Sequence, residues 1–411
     1  MKNFSELPLS TLLKNNLARE GFDTPTPVQD ATIEPALAGR DLVVTAQTGT
    51  GKTLAFVLPL IQRLTAQPAP SGIRAAILSP TRELAIQIHE SFVKMAAGSG
   101  LRATVVVGGL GERDQLQSIR RGAQVLIATP GRMHDFLSRN LLNLSHVEML
   151  VLDEADRMLD MGFLPTIEKL IGAMPAGRQT LLLSATIESS VKHLVDRHVR
   201  NAVRISIGSS TKPIENVALH AYEVEQDRKL SLLQLMLVQE QGSFLVFART
   251  KRGADRLAKK LSREGVKATA IHGDRTQNQR NQALRGFQDR SYRVLVATDV
   301  AARGIHVEGI SHVVNYDLPQ VPEDFIHRVG RTGRAGAHGT ASTFATRAER
   351  ADLMHIERTL QTKLVRRPVS PDLAREQKHA APVVVISSRE PQARPFAGGA
   401  KFAKRRIRRA V

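Results

Sequence analysis

Eleven short apolar runs occur along this chain, and amphipathic segments such as residues 81–97 separate them. Because the runs are almost continuously apolar, each predicts a parallel strand that is covered by helices on both faces of its sheet. The pattern therefore predicts an α/β fold. The runs lie at 41–46, 74–79, 103–109, 125–129, 149–156, 180–186, 242–250, 268–273, 293–299, 312–317 and 340–346.

The series of runs is interrupted once, by a polar stretch with Gly and Pro at 208–216. Such a stretch is typical of a linker, so we expect one α/β domain at 1–207 and a second at 217–367. From Pro368 onward the chain is rich in Pro, Ala, Gly and Arg, with ten Lys or Arg and three Asp or Glu. This composition predicts a disordered basic tail at 368–411.

The chain is strongly basic, with 58 Lys or Arg, 39 Asp or Glu and a formal net charge of +19. A balance of this kind predicts a polyanionic partner, either nucleic acid or an acidic membrane surface, although it also suits a surface that only aids solubility. The absence of cysteine excludes disulfides, zinc fingers and thiol catalysis. No apolar run reaches the ~18 residues of a membrane helix, and the N-terminus lacks the apolar core of a signal peptide. We expect a cytoplasmic protein with no membrane partner.

A glycine-rich segment, AQTGTGKT, follows the first predicted strand and opens a predicted helix. Its glycines let backbone N–H groups surround phosphate oxygens, its lysine reaches the outer phosphates, and its last hydroxyl ligates Mg²⁺. The helix N-terminus adds a favourable dipole for the anion. The segment predicts a nucleotide site formed by Ala46, Thr48, Gly49, Thr50, Gly51, Lys52 and Thr53.

An acidic tetrapeptide, DEAD, ends the apolar run at 149–156. Its first two carboxylates therefore lie at the carboxyl edge of a parallel strand, where α/β sheets bind ligands. Asp153 is expected to hold Mg²⁺, and Glu154 to orient and deprotonate the attacking water.

Together these segments resemble the DEAD-box family of superfamily 2 RNA helicases over residues 4–367. GFDTPTPVQ at 21–29 is similar to the family's adenine-reading motif. The resemblance implies that Gln29 hydrogen-bonds adenine and that Phe22 stacks on its ring, and it places Phe4 in the same nucleotide site.

Further segments match family positions for RNA contact and for coupling hydrolysis to strand separation. The resemblance implies coupling by Asp156, Ser184, Thr186 and His327. It implies RNA contacts in the first domain by Pro80, Thr81, Arg82, Gly108, Gly109, Thr129, Pro130, Gly131 and Arg132. In the second domain it implies RNA contacts by Arg249, Gly273, Gln277, Arg280, Thr298 and Asp299.

Two arginines of HRVGRTGR at 327–334 complete the implied catalytic set. By resemblance, Arg331 and Arg334 point across the interdomain cleft at the γ-phosphate. One position departs from the family pattern, because His306 stands where an aspartate is usual. That position would lie near the nucleotide ribose.

The resemblance implies two RecA-like domains that bind ATP, Mg²⁺ and the backbone of RNA, and that open short duplexes locally. MLDMGF at 158–163 and ARTKRGADRLAKKL at 248–261 resemble the bacterial RhlE branch. We expect a monomer, with ribosomal or RNA-decay proteins as further partners. A DNA-directed helicase or translocase of the same superfamily, and a protein that mainly binds or anneals RNA, remain alternatives.

Overall fold

The computed structural model describes residues 3–46, 49–66, 72–187, 189–207, 216–302, 307, 309–333 and 338–376. Within them two seven-stranded parallel sheets are flanked by helices, which confirms the predicted fold class. No helix in these ranges combines the length and apolar character that crossing a membrane requires.

The first sheet has the strand order β3-β4-β2-β5-β6-β1-β7. Its strands are β1 Leu42–Ala46, β2 Ala75–Leu78, β3 Ala103–Val106, β4 Val125–Ala128, β5 Met149–Leu152, β6 Gln179–Ser184 and β7 Val203–Ile207. Its helices are α1 Thr11–Arg19, α2 Pro27–Leu37, α3 Lys52–Ala66, α4 Arg82–Met95, α5 Glu112–Arg120, α6 Pro130–Ser138, α7 Ala155–Asp160, α8 Leu164–Gly172 and α9 Ser189–His198.

Helices cover both faces of this sheet because its central strands are apolar at nearly every position. β2, β4 and β5 are buried throughout, and their side chains alternate between two hydrophobic clusters. On one face Phe56 of α3 and Phe92 of α4 are buried. On the other, Phe136 of α6 is buried. The loops at the carboxyl ends of the strands therefore stand on a rigid base.

The second sheet has the strand order β10-β11-β9-β12-β13-β8-β14. Its strands are β8 Val217–Glu223, β9 Phe244–Phe247, β10 Ala268–Ile271, β11 Val294–Ala297, β12 His312–Asn315, β13 Gly339–Ala345 and β14 Val365–Arg367. Its helices are α10 Lys229–Gln239, α11 Lys251–Arg263, α12 Gln277–Gln288, α13 Asp299–Ala302, α14 Pro322–Val329 and α15 Arg350–Thr359.

The described chain continues past β14 and packs on the second domain. Val369 and Leu373 contact the hydrophobic cluster around α10. Arg228 donates to the carbonyl oxygen of Pro371 at 3.0 Å, and the Ser231 hydroxyl donates to that of Ala374 at 2.8 Å. Within the segment that the sequence assigned to the tail, residues 369–374 thus contact the second domain, whereas 377–411 lie outside the described residues.

Candidate functional site

The glycine-rich loop connects the end of β1 to the start of α3. The ammonium of Lys52, the first residue of α3, is buried and donates to the carbonyl oxygen of Ala46 at 2.7 Å. Gly51 has a φ of +90°, and a Cβ added there would lie 2.6 Å from Nε2 of Gln29. Only glycine fits this position without strain. Thr48 lies outside the described residues.

A cavity of about 790 Å³ opens beside this loop, and its lining includes Phe22, Gln29, Gly49, Gly51 and Thr53. The amide of Gln29 is held on both sides: Oε1 accepts from the backbone N–H of Thr26 at 2.8 Å, and Nε2 donates to the carbonyl oxygen of Gly51 at 3.0 Å. Phe22 is 43% exposed, as a stacking ring must be before its ligand binds.

Phe4 does not reach the cavity, so the expectation of a nucleotide contact is corrected here. Its ring is 3% exposed and belongs to the hydrophobic core. Its backbone N–H donates to the carbonyl oxygen of Asp23 at 3.0 Å. Because Asp23 follows Phe22, Phe4 supports the loop that presents Phe22.

The acidic pair begins directly after β5, beside the glycine-rich loop. Asp153 accepts from the N–H of Glu154 at 3.1 Å. Glu154 has a φ of +51° and a ψ of +53°, a left-handed conformation that side chains with a Cβ rarely adopt. Strain of this kind persists only where the surrounding structure holds the residue in place, which is common at functional sites.

Burial raises the pKa of Asp153 to about 7, and the negative charges of Glu154 and Asp156 act in the same direction. The ammonium of Lys52 and the N–H of Glu154 oppose this rise. A divalent cation would relieve the crowding of buried negative charge, and carboxylate and hydroxyl oxygens are the ligands that Mg²⁺ prefers. Asp153 and Thr53 therefore fit a magnesium ion bound with a nucleotide.

Asp156 connects the acidic pair to the Ser-Ala-Thr segment that follows β6. Its Oδ2 accepts from the backbone N–H groups of Ala185 and Thr186, both at 2.9 Å. Its own N–H donates to the hydroxyl of Ser184 at 3.3 Å, and that hydroxyl donates to the carbonyl oxygen of Thr186 at 2.7 Å. The two segments are therefore joined directly by hydrogen bonds.

The second domain brings arginines to the same region. Arg331 is buried, and its Nε donates to the carbonyl oxygen of His327 at 3.1 Å. Arg331, Arg328 and His327 line a narrow cavity that Arg157 of α7 also borders. Arg157 in turn donates to Oε2 of Glu154 at 3.4 Å. Arg334 and His306 lie outside the described residues.

The predicted RNA-contacting residues of the first domain lie in loops and first helical turns that follow its strands. The guanidinium of Arg82 lies against Gly108 and Gly109, and a Cβ added to Gly109, whose φ is +79°, would collide with it.

The remaining predicted contacts of the first domain lie at the starts of α4 and α6. Thr81 caps α4 by accepting from the backbone N–H of Leu84. Pro80 is buried, Thr129 and Pro130 open α6, and Gly131 is exposed. Arg132 is paired with Glu112 and Asp135 and lies over the Phe136 ring.

Several predicted RNA contacts of the second domain are engaged with protein in this conformation. Gln277 and Arg280 donate to Glu83 of α4 at 2.9 and 2.8 Å, and all three are buried. Buried charge requires a partner, and here the partner is in the other domain.

The carboxylate of Asp299 pairs with Arg328 through two hydrogen bonds, of 2.6 and 2.8 Å. Arg249 pairs with Glu349 at 3.1 Å. Gly273 is exposed and Thr298 is buried. Among the predicted RNA contacts of the second domain, the exposed Gly273 is therefore open to an RNA strand in this conformation.

Sequence reasoning missed Glu83, Arg157 and Arg328. Each forms its principal contact with a residue that was predicted to be functional, namely Arg280, Glu154 and Asp299. Glu83 directly follows Arg82 and Arg328 lies within HRVGRTGR, so proximity to matched residues was the available signal. Arg157 directly follows the DEAD tetrapeptide.

Comparison with known proteins gives the family. Residues 26–194 match the DEAD/DEAH box helicase model, and residues 227–336 match the helicase conserved C-terminal domain. The DEAD-box ATP-dependent RNA helicase CshA of Geobacillus kaustophilus is 40% identical over 378 residues, which are 92% of this chain and 80% of that protein. This chain belongs to the DEAD-box family of ATP-dependent RNA helicases.

Solved structures of DEAD-box proteins share the fold. S. cerevisiae Dbp5 bound to RNA and ADP BeF3 superposes with a TM-score of 0.81 at 30% identity, covering 90% of this chain and 96% of that one. A DEAD box protein from Methanococcus jannaschii, at 37% identity, gives 0.53 and covers 90% and 99%. As a member of this family the chain is an RNA-stimulated ATPase. Its assignment to the RhlE branch stays a prediction.

Proposed function

We propose that this helicase hydrolyses ATP only when RNA holds its two domains together, because the site is divided between them. The first domain binds the nucleotide through the loop at 46–53, with Gln29 reading adenine and Phe22 stacking on it. The second domain supplies Arg331 and Arg334. An arginine that is delivered across a cleft in this way contributes ~10³–10⁵ in rate.

The observation that carries the proposal is the position of Arg157 between the two halves of the site. Arg157 touches Glu154 on one side and borders the cavity that holds Arg331 on the other. The contact of Gln277 and Arg280 with Glu83 supports a joined state of the domains. The closer superposition on the RNA-bound Dbp5 complex supports it as well.

The chemistry proposed for the first domain is water activation by Glu154. Its carboxylate orients the attacking water and accepts its proton, while Lys52 leaves Ala46 to bind the outer phosphates. Asp153 and Thr53 would hold Mg²⁺, which when bound would neutralise charge on the phosphates. Asp156 passes the resulting shift to Ser184 and Thr186, which couple it to the RNA.

The RNA grip proposed here uses the sugar-phosphate backbone. The chain has no Trp, three Tyr and thirteen Phe, and no platform of aromatic side chains for stacked bases is apparent in its sequence. Glycines 108, 109, 131 and 273 allow close approach of a backbone, and arginines neutralise phosphates. Contacts to 2′-hydroxyls would favour RNA over DNA.

The direct test compares RNA with DNA of the same sequence as stimulators of ATP hydrolysis. RNA is expected to stimulate turnover and DNA to leave it near the basal rate. Equal stimulation would support a DNA-directed enzyme instead, and no stimulation by either would contradict the division of the site. The same assay with GTP tests Gln29, since one unsatisfied buried hydrogen bond costs ~1–3 kcal/mol.

The proposal includes domains at 1–207 and 217–367, a linker at 208–216 and a basic tail at 368–411. We further propose a cytoplasmic monomer of the RhlE-like branch that works with ribosomal or RNA-decay proteins.

A further inference from the structure

The outer face of α11 carries a row of basic side chains. Arg252, Arg256, Lys259 and Arg263 are all exposed and recur at intervals of four, three and four residues. At 100° per residue this spacing places them on one side of the helix. The opposite side, formed by Ala254, Leu257, Ala258 and Leu261, is buried in the second domain. We call these four basic residues the α11 stripe.

The α11 stripe has no counter-charge within the part of the chain that the structure describes. None of its four side chains has an ion pair there. The one acidic residue of α11, Asp255, pairs with His272 and Arg275 on another side. Burial, and then the positive charge of Arg256, lower the pKa of the neighbouring Lys260. The surface therefore has an excess of positive charge that a polyanion would neutralise.

The α11 stripe begins next to predicted RNA contacts. Arg249 precedes α11, and Lys251, its first residue, lies against Gly273 and pairs with Asp274. From Arg252 to Arg263 the helix extends about 16 Å at 1.5 Å per residue. A straight row of cations that continues from a strand-binding edge matches the regular charges of a nucleic-acid backbone. An acidic protein patch would not require a row.

We propose that the α11 stripe binds the phosphates of RNA that extends beyond the interdomain cleft, on the side of Arg249 and Gly273. This inference rests on the proposed function and names its substrate more closely: RNA with a flanking segment. Such contacts are sequence-independent and salt-dependent. They would hold a structured RNA in place while the cleft opens and closes.

The test uses the full chain with Arg252, Arg256, Lys259 and Arg263 all changed to Gln. As a matched control, four exposed basic residues of the first domain are changed to Gln, namely Lys169, Lys192, Arg197 and Arg204. A second variant, R252K/R256K/R263K, keeps the charge. Binding is measured by fluorescence anisotropy over a range of KCl concentrations, with a short single strand and with the same strand extended by a duplex. Thermal unfolding checks that each variant is folded.

The stripe variant is expected to bind the extended RNA about tenfold more weakly at low salt, with little change for the short strand. The slope of log K against log[KCl] should flatten by about 0.9 for each duplex phosphate that the variant no longer neutralises, or by about 0.7 for each single-strand phosphate. The charge-preserving variant should keep the parental slope.

An equal loss of affinity in the stripe variant and the first-domain control would show a general charge effect and overturn the inference. Unchanged RNA binding in the stripe variant would also overturn it and favour an acidic protein as the occupant. RNA-stimulated hydrolysis by the unaltered protein is measured alongside. Its absence would refute the proposed function, whereas its presence without a stripe effect would refute only the inference.

Discussion

The two sheets of this helicase have the same topology, but the equivalent loops at their edges have different roles. If the strands of each sheet are numbered from its own first strand, both have the order 3-4-2-5-6-1-7. In both, a helix that begins with lysine follows the first strand: Lys52 begins α3 and Lys229 begins α10. Between strand and helix, however, the first domain has the glycine-rich residues 47–51, and the second has Val-Glu-Gln-Asp-Arg at 224–228.

The two lysines show what this difference means. Lys52 donates to a carbonyl oxygen of its own loop, an interaction that a phosphate can replace. Lys229 is fully buried, donates to the carbonyl oxygen of Tyr316 at 3.0 Å, and lies near Glu349 and Asp317. The same fold position thus serves ligand binding in one domain and structure in the other. Function in this protein lies in the loops at the sheet edge rather than in the fold.

The largest effect is expected for Arg331→Ala, which removes the contribution of the second domain. ATP binding should be kept, because the nucleotide loop is in the first domain, while RNA-saturated turnover should fall by ~10³ or more. Nucleotide binding and steady-state hydrolysis are measured together, with the exposed Arg347→Ala as control. Turnover within tenfold of the parent would show that the domains do not share the site.

The lysine pair gives the next test. Lys229→Ala should lower the free energy of unfolding by about 3 kcal/mol, because Asp317 and Glu349 lose their buried cation. Lys52→Ala should leave thermal unfolding nearly unchanged and weaken ATP binding by ~1.5–3 kcal/mol, the value of a hydrogen bond to a charged group. If Lys52→Ala lowered stability and Lys229→Ala weakened ATP binding instead, the roles assigned to the two lysines would be contradicted.

Most of the fold was predictable because eleven strands are continuous apolar runs. The strands β7, β8 and β14 were not, because β7 and β8 are half exposed, β14 is exposed throughout, and none of them forms such a run. The nucleotide loop and the acidic pair are local in sequence and could be predicted directly from it. Glu83 was missed because its partner Arg280 is distant in the chain. Phe4 was misplaced because a sequence pattern does not distinguish a ring that contacts a ligand from one that supports its loop.

A smaller effect is expected at the contact between the domains. Glu83→Gln, Arg280→Ala and the double variant form a cycle whose coupling energy should be ~1–3 kcal/mol, as for residues that touch directly. The quantity to measure is RNA affinity in the presence of an ATP analogue, which depends on the joined state. Additive effects would mean that the Glu83–Arg280 pair contributes nothing to closure.

The smallest effect concerns Glu349 in the second domain. Burial alone would raise the pKa of Glu349, but the N–H of Thr346 and the charge of Lys229 hold it below 4.5. The ionised carboxylate of Glu349 therefore stabilises the fold above pH 4.5, and this stabilisation is lost as the pH falls through the lowered pKa. Glu349→Gln should cost under about 1 kcal/mol at pH 7, discounted for partial exposure. The difference in stability between Glu349→Gln and the parent should disappear below pH 4.5, as measured by thermal unfolding, with the exposed Glu225→Gln as control.

The central claim is that the first domain holds ATP and activates water while the second completes the site only with RNA. Glu154→Gln tests it most directly, because the amide keeps the size and hydrogen bonding of the side chain but cannot accept a proton. ATP and RNA binding are expected near parental values, with RNA-stimulated hydrolysis abolished. Near-normal turnover in Glu154→Gln would contradict the account and remove Glu154 from its role.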